Sequence, residues 1–163
     1  MKIKLFCWKK NMLKALDIFV ASMTGTALIV ADEIVDICKQ ENIKTKILEM
    51  DSLNYQCLSD QKIPILIISS TYGQGDIPDG SKSFYDALKK NSPSLKHINF
   101  AVFGLGDMTY KETFAFGGKK FEKLFIKLNA KKIADSFFHD ASSATLPEEE
   151  GVSWFKEKIL TVL

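Results

Sequence analysis

The chain has 163 residues, 46% hydrophobic and 26% charged, a balance that suits one compact globular domain and argues against disorder. The formal net charge is +2, and all 22 basic residues are lysines. Without arginine to grip bases or phosphates bidentately, nucleic-acid binding is not expected, and no apolar run approaches the roughly 20 residues that span a bilayer.

Residues 1–15 read as an N-terminal extension ahead of a domain over 16–163. The apolar stretch Leu5-Phe6-Cys7-Trp8 is too short for a secretory signal core, and Met12 offers an alternative first residue. Cys7, Cys38 and Cys57 form no CxxC pair and no even-numbered disulfide framework, which suits a reducing cytoplasm. Cys38 and Cys57 are expected as buried apolar fillers.

Within the domain, apolar strand-like runs alternate with helical patterns. Leu16 to Ala21 reads as a first strand, and Gly25 to Gln40 as a helix whose Leu28, Ile29, Ala31, Ile34, Val35 and Cys38 make one apolar stripe. Lys44 to Met50 is a more polar second strand. Ile63 to Ser70 is a continuous apolar third, suited to burial on both faces, with Pro64 near its start where a missing N–H does least harm. A helix over Ser81 to Asn91 precedes a fourth strand, His97 to Phe103, in which His97 is expected to be structural. Phe121, Leu124, Phe125 and Leu128 recur at helical spacing among the cluster Lys119, Lys120, Lys123, Lys127, Lys131 and Lys132, so these lysines read as a solvated helix face. A fifth strand is expected near Ile133 to Phe138. A last helix follows Pro147, with Glu148, Glu149 and Glu150 where the helix dipole favours carboxylates.

This alternation indicates an α/β fold with a parallel sheet, whose ligand lies beyond the carboxyl ends of the strands. The loops there are distinctive. Ser22-Met23-Thr24-Gly25-Thr26-Ala27 sets three hydroxyls and a glycine at a helix N-terminus, either as an anion nest or as a plain helix cap. No lysine lies in the loop, so it is not a Walker-type site. After strand three, Ser70-Thr71-Tyr72-Gly73-Gln74-Gly75-Asp76 offers a flat aromatic face beside two glycines. After strand four, Phe103-Gly104-Leu105-Gly106-Asp107-Met108-Thr109-Tyr110 offers a second tyrosine, and Thr109 in the third glycine's place defeats a GxGxxG dinucleotide motif. Asp76, Asp79, Asp107 and Asp140 are either an acidic docking rim or ordinary turn aspartates. His139, beside Asp140, is not expected to hold a metal or catalyse.

These three loops, in order and each after the appropriate strand, make the chain from Leu16 onward resemble the flavodoxin family. It is similar to the short-chain MioC-like flavodoxins and to the FMN domains of sulfite reductase and microsomal cytochrome reductases. The resemblance implies a doubly wound five-stranded parallel sheet of order 2-1-3-4-5, helices on both faces, and non-covalent FMN. It assigns the 5′-phosphate to Ser22, Thr24 and Thr26 with the amides of Met23, Gly25 and Ala27. Tyr72 and Tyr110 would sandwich the ring, and Ser70, Thr71, Gly73, Leu105, Gly106, Asp107 and Phe114 would complete the contacts. Ala115 stands where relatives often carry cysteine, and the chain lacks the strong acidity of many flavodoxins.

The function so implied is a cytoplasmic, monomeric electron carrier without substrate turnover of its own. It would take electrons from a separate NADPH-dependent flavoprotein reductase and pass them to an acceptor redox enzyme. Two competitors stand beside it: a flavodoxin-like quinone reductase, which would consume NAD(P)H unaided, and an interaction module that has lost its flavin. A response-regulator receiver is disfavoured, because Ser69-Ser70 stand where its phosphorylatable aspartate would end strand three.

Overall fold

The computed structural model describes residues 14–163. Most of the expected N-terminal extension, Cys7 and the alternative start at Met12 lie outside the described residues.

The strands are β1 (Ala15–Ala21), β2 (Lys44–Glu49), β3 (Ile65–Ser69), β4 (Asn99–Gly106), β5 (Lys131–Lys132) and β6 (Phe137–Asp140). All pair in parallel, in the order β2-β1-β3-β4-β5, with β6 also on β4. The helices are α1 (Thr26–Gln40), α2 (Asp79–Asn91), α3 (Phe116–Lys127) and α4 (Pro147–Trp154).

Period-two alternation sends successive strand residues to opposite faces. Phe19, Ala21, Ile65, Ile67, Phe100 and Val102 bury one face with Phe84 and Leu88 of α2 and Phe121, Leu124 and Phe125 of α3. Leu16, Ile18, Val20, Leu66, Ile68, Ala101 and Phe103 bury the other with Val30, Ala31, Ile34 and Cys38 of α1 and with Trp154 and Phe155. With both faces covered, β3 is buried along its whole length. The phenylalanines of α3 are therefore core, as their spacing predicts, and truncating one costs about 3–5 kcal/mol.

Pro64 precedes β3, and its carbonyl still accepts the Asp17 amide at 3.0 Å. The buried Asp17 carboxylate accepts from Gln61 Nε2 at 2.8 Å, at the opposite end of β1 from Ala21. His97 precedes β4 rather than opening it, with Nε2 2.9 Å from the Leu58 carbonyl oxygen.

Three expectations need correction. β4 runs on to Gly106, because Leu105 and Gly106 are still paired, with His139 and Asp140. The fifth strand is split, and its first part takes Lys131 and Lys132, which pair with β4 instead of continuing the helix face. From Phe100 to Phe103 is three residues on β4, whereas their partners Lys132 and Phe137 are five apart, so two extra residues bulge outward. Trp154 Nε1 donates to the Asp135 carbonyl at 3.0 Å and Ser136 Oγ to Glu122 at 2.8 Å, which satisfies polar groups the ladder leaves free. Cys57 is exposed rather than buried, whereas Cys38 is buried and its thiol is pushed up to about 11 by loss of hydration.

Glycines set how closely α3 meets the sheet. A Cβ on Gly117 would lie 2.0 Å from the Ser70 carbonyl oxygen, and one on Gly118 would lie 2.8 Å from the Gly104 Cα. These approaches bring the start of α3 against the carboxyl ends of β3 and β4, beside both following loops.

Candidate functional site

The carboxyl ends of β1, β3, β4 and β6 open into one cavity of about 720 Å³, within the range of small-molecule and cofactor sites. Its first wall is the turn after β1. Gly25 holds φ +92°, the left-handed region, and its amide donates to Ser22 Oγ at 3.0 Å. The turn delivers the chain into α1, whose first-turn amides have no intrahelical partner. No acidic side chain stands in that first turn. Met23, Thr24 and Thr26 line the cavity, so hydroxyls and a helix N-terminus face it together.

The second wall is the loop after β3. Tyr72 and Asp76 exchange backbone hydrogen bonds of 2.8 and 2.7 Å, and Gly73 inside this tight loop holds φ +54°. The loop is anchored through Thr71 Oγ1, which accepts the Gly117 amide at 3.0 Å, and through the Ser70 amide on the Ala21 carbonyl at 2.9 Å. Tyr72 projects at the mouth, 44% exposed.

The third wall follows β4. The Asp107 carboxylate accepts from the amide and hydroxyl of Thr109, which starts a short helical turn, Met108–Thr113. Tyr110 leaves that turn 64% exposed. Asp140 Oδ1 accepts from the Met108 amide at 2.8 Å and from the amide and hydroxyl of Ser142 at 3.0 and 2.7 Å. The Met108 amide first, then the Ser142 hydroxyl, hold the Asp140 carboxyl below its ordinary range.

Of the residues singled out in the sequence, Met23, Thr24, Thr26, Ser70, Thr71, Tyr72, Gly73, Leu105, Gly106, Asp107 and Tyr110 come together on the cavity. Four do not line it. Ser22 and Gly25 build the turn beneath the first wall, and Ala27 is fully buried against the core. Phe114 is buried too, under Lys119, whose ammonium donates to the Phe114 carbonyl at 2.8 Å and lies 4.9 to 5.7 Å from the ring centroids of Phe114, Phe116 and Phe138. Among lysine and three aromatic faces, Phe114 packs the loop rather than the cavity.

A fourth wall lies beyond the three loops. Thr113, His139 and the segment from Ala141 to Pro147 also line the cavity, with Ser143 and Thr145 adding hydroxyls. The signal available was the small polar run Ala141-Ser142-Ser143-Ala144-Thr145 between a strand and a proline-started helix, next in the sheet to β4. His139 is buried, with Nδ1 2.7 Å from Glu150 Oε2 on α4. The four aspartates have local partners. Asp107 and Asp140 hold turns, while Asp76 and Asp79 pair with Lys120 at 3.1 Å and Lys82 at 2.6 Å.

The flavodoxin family model matches residues 18–154, most of the chain. This chain belongs to the flavodoxin family. It is 31% identical to flavodoxin YqcA of Escherichia coli (strain K12) over 140 residues, 86% of this chain and 93% of that protein. It is 34% identical over 158 residues to the sulfite reductase (NADPH) flavoprotein alpha-component of Buchnera aphidicola subsp. Schizaphis graminum, covering 96% of this chain and 25% of that longer protein. The sulfite reductase relatives are thus matched over about a quarter of their length or less. Among solved structures, a cysteine-to-alanine mutant of flavodoxin from Pseudomonas aeruginosa superposes with a TM-score of 0.78 at 28% identity, covering 91% of this chain and 98% of that one.

Flavodoxins bind FMN, and this flavodoxin's cavity fits that cofactor. Its size suits a ligand of that class, an uncharged hydroxyl-lined helix N-terminus suits a phosphomonoester, and two tyrosine faces stand at the mouth. Among the described residues no cluster of His, Cys, Asp and Glu has metal-binding geometry. None of the helices among them is long and apolar enough to cross a membrane.

Proposed function

We propose that this flavodoxin is a cytoplasmic, monomeric carrier. It accepts electrons on FMN from a separate NADPH-dependent flavoprotein reductase and passes them to an acceptor redox enzyme. The observation that carries this reading is the single cavity that joins a phosphate nest to two exposed tyrosines at an open mouth.

In this reading Thr24, Thr26 and the first-turn amides of α1 hold the phosphate through neutral donors, so the helix dipole supplies the attraction. The Gly25 amide is already given to Ser22, which makes Ser22 a support for the turn rather than a phosphate ligand. Tyr72 and Tyr110 cover the ring, and Gly73 lets a peptide carbonyl turn toward the ring's edge. Bound FMN supplies the electron-carrying chemistry that side chains lack. The electron-rich tyrosine faces, with Lys120 and Lys82 occupied by Asp76 and Asp79, disfavour added negative charge on the ring.

The mouth supports transient partners. Met23, Met108 and Leu146 are exposed around it beside the tyrosines, while its lysine–aspartate pairs nearly cancel. The match over 93% of flavodoxin YqcA supports a carrier that works apart from its reductase, and the NADPH in the sulfite reductase relatives' name supports the class of that reductase.

The test is cytochrome c reduction by the FMN-loaded chain with NADPH and a purified NADPH-dependent flavoprotein reductase. Reduction that requires chain, reductase and NADPH together supports the carrier. NADPH consumption by the chain alone with a quinone would instead establish the quinone reductase. Gel filtration at the 18.3 kDa of one chain supports the monomer.

A further inference from the structure

Four polar residues are buried among the described residues, Asp17, Ser69, Ser81 and His139, and of these only His139 lines the cavity. An apolar residue on this strand would pack without desolvating a ring nitrogen. His139 sits in register with Leu105 of β4, its side chain 3% exposed, and among the described residues the one hydrogen-bond partner of its ring is Glu150, bound through Nδ1. None of the roles given above to the phosphate nest, the tyrosines or the loop clamps uses this pair.

With the ring neutral and Nδ1–H donating to Glu150, the pair carries one negative charge. With both ring nitrogens protonated, it carries none. An anion entering the same cavity meets a wall that differs by a whole charge between these states. Glu150 faces the ring from α4, and Asp140 is its neighbour on β6, close enough that the ring's charge acts on that carboxylate. β4 sets only Leu105 opposite, and the segment 141–146 carries no charge. The remaining charges on the packed elements are Glu148 and Glu149 in the first turn of α4, Asp107 past the end of β4, and Lys156, Glu157 and Lys158 on the helical turn Phe155–Ile159 that continues α4. Glu157 and Lys158 line a second pocket with Glu150, and none of the three lines the cavity, so among the described residues His139 is the only lining group that can add positive charge to this wall.

We infer that His139 and Glu150 make FMN binding proton-linked, the His139 ring holding its second proton more tightly once the anionic cofactor is in the cavity. The inference rests on the reading that the cavity holds FMN. By reciprocity, whatever factor FMN adds to the proton affinity of His139, protonation adds to the affinity for FMN.

The direct test is an NMR titration of the histidine rings of the whole chain between about pH 5 and 9, with and without saturating FMN. There are two histidines, and His97→Gln identifies the signal of His139. FMN should raise the His139 proton affinity by about fivefold or more. In parallel, flavin fluorescence quenching gives Kd for wild type, His139→Gln and Glu150→Gln near pH 6 and pH 8, each variant referred to wild type at the same pH so that titration of free FMN cancels. His139→Gln should weaken binding about fivefold near pH 6 and less near pH 8. Glu150→Gln should tighten it near pH 8, where the variant removes the pair's net negative charge. A His139 titration unmoved by FMN, a ring in one charge state throughout, or a His139→Gln ratio equal at both pH values would overturn the inference while FMN binding stands. Failure of FMN to bind at either pH would overturn the parent reading and this inference with it.

Discussion

The tightest approach at any glycine marks Gly117 as the most sensitive of them. In Gly117→Ala the new methyl would lie 2.0 Å from the Ser70 carbonyl oxygen, about 1.4 Å short of ordinary contact, and the obstacle is backbone on both sides. The start of α3 must retreat, and its amide then leaves Thr71 Oγ1. Overpacking of this kind costs up to about 3 kcal/mol, and the lost hydrogen bond about 1 kcal/mol more. For a domain of this size the melting temperature should fall by up to about 8–16 °C. Gly73→Ala is the internal control. No atom lies within 4 Å of its added methyl, so only the left-handed φ is penalised, at about 1–2 kcal/mol and a few degrees. Thermal unfolding of the apo chains, followed by circular dichroism, reads both. If Gly117→Ala melts within about 2 °C of wild type, or no lower than Gly73→Ala, the packing that joins α3 to the second and third walls is wrongly described.

Other consequences follow from the same geometry. Thr24→Ala should weaken FMN about tenfold or more and leave riboflavin binding unchanged, because a hydrogen bond to a charged phosphate is worth about 1.5–3 kcal/mol; equal losses for the two ligands would move Thr24 away from the phosphate. The Asp140 carboxyl is held below its unfolded value by the Met108 amide and the Ser142 hydroxyl. Its contribution is therefore present above the unfolded pKa and lost as pH falls through the folded one. Urea unfolding of Asp140→Asn should accordingly show a shallower decline of stability with acid below about pH 4 than wild type, and parallel declines would contradict this. In a Cys7→Ser background, Cys57 should react promptly with a thiol reagent and Cys38, buried with its thiol near 11, only on unfolding. Two fast thiols in the native protein would contradict the packing of α1.

Much of this architecture was legible because it rests on periodicity. The apolar runs of β1 and β3 and the stripe of α1 are dictated by burial on both faces of a parallel sheet, and each falls within two residues of its expected bounds. The walls built from loops after β1, β3 and β4 were legible for a different reason, since hydroxyls, paired glycines and tyrosines at strand ends carry chemistry of their own. What escaped was tertiary. The bulge between β5 and β6 depends on Trp154 and Glu122 meeting polar groups from other elements. Phe114 was placed on the cofactor by resemblance, yet Lys119, five residues on, draws it into a packed cage. The exposure of Cys57 follows from a short helical turn, Tyr55–Leu58, in which Leu58 takes the buried position. The wall from Ala141 to Pro147 reaches the cavity only because β6 lies beside β4.

The central claim is that this cavity binds FMN between two tyrosines. The most direct measurement is a titration of the apo chain with FMN, followed by flavin fluorescence and the visible absorption spectrum, in wild type and in Tyr110→Ala. The account predicts saturable, near-complete quenching with a shifted flavin band in wild type, and weaker binding with partial recovery of fluorescence in the variant. A wild-type protein that leaves FMN fluorescence unchanged would contradict it and leave an interaction module without flavin as the better description.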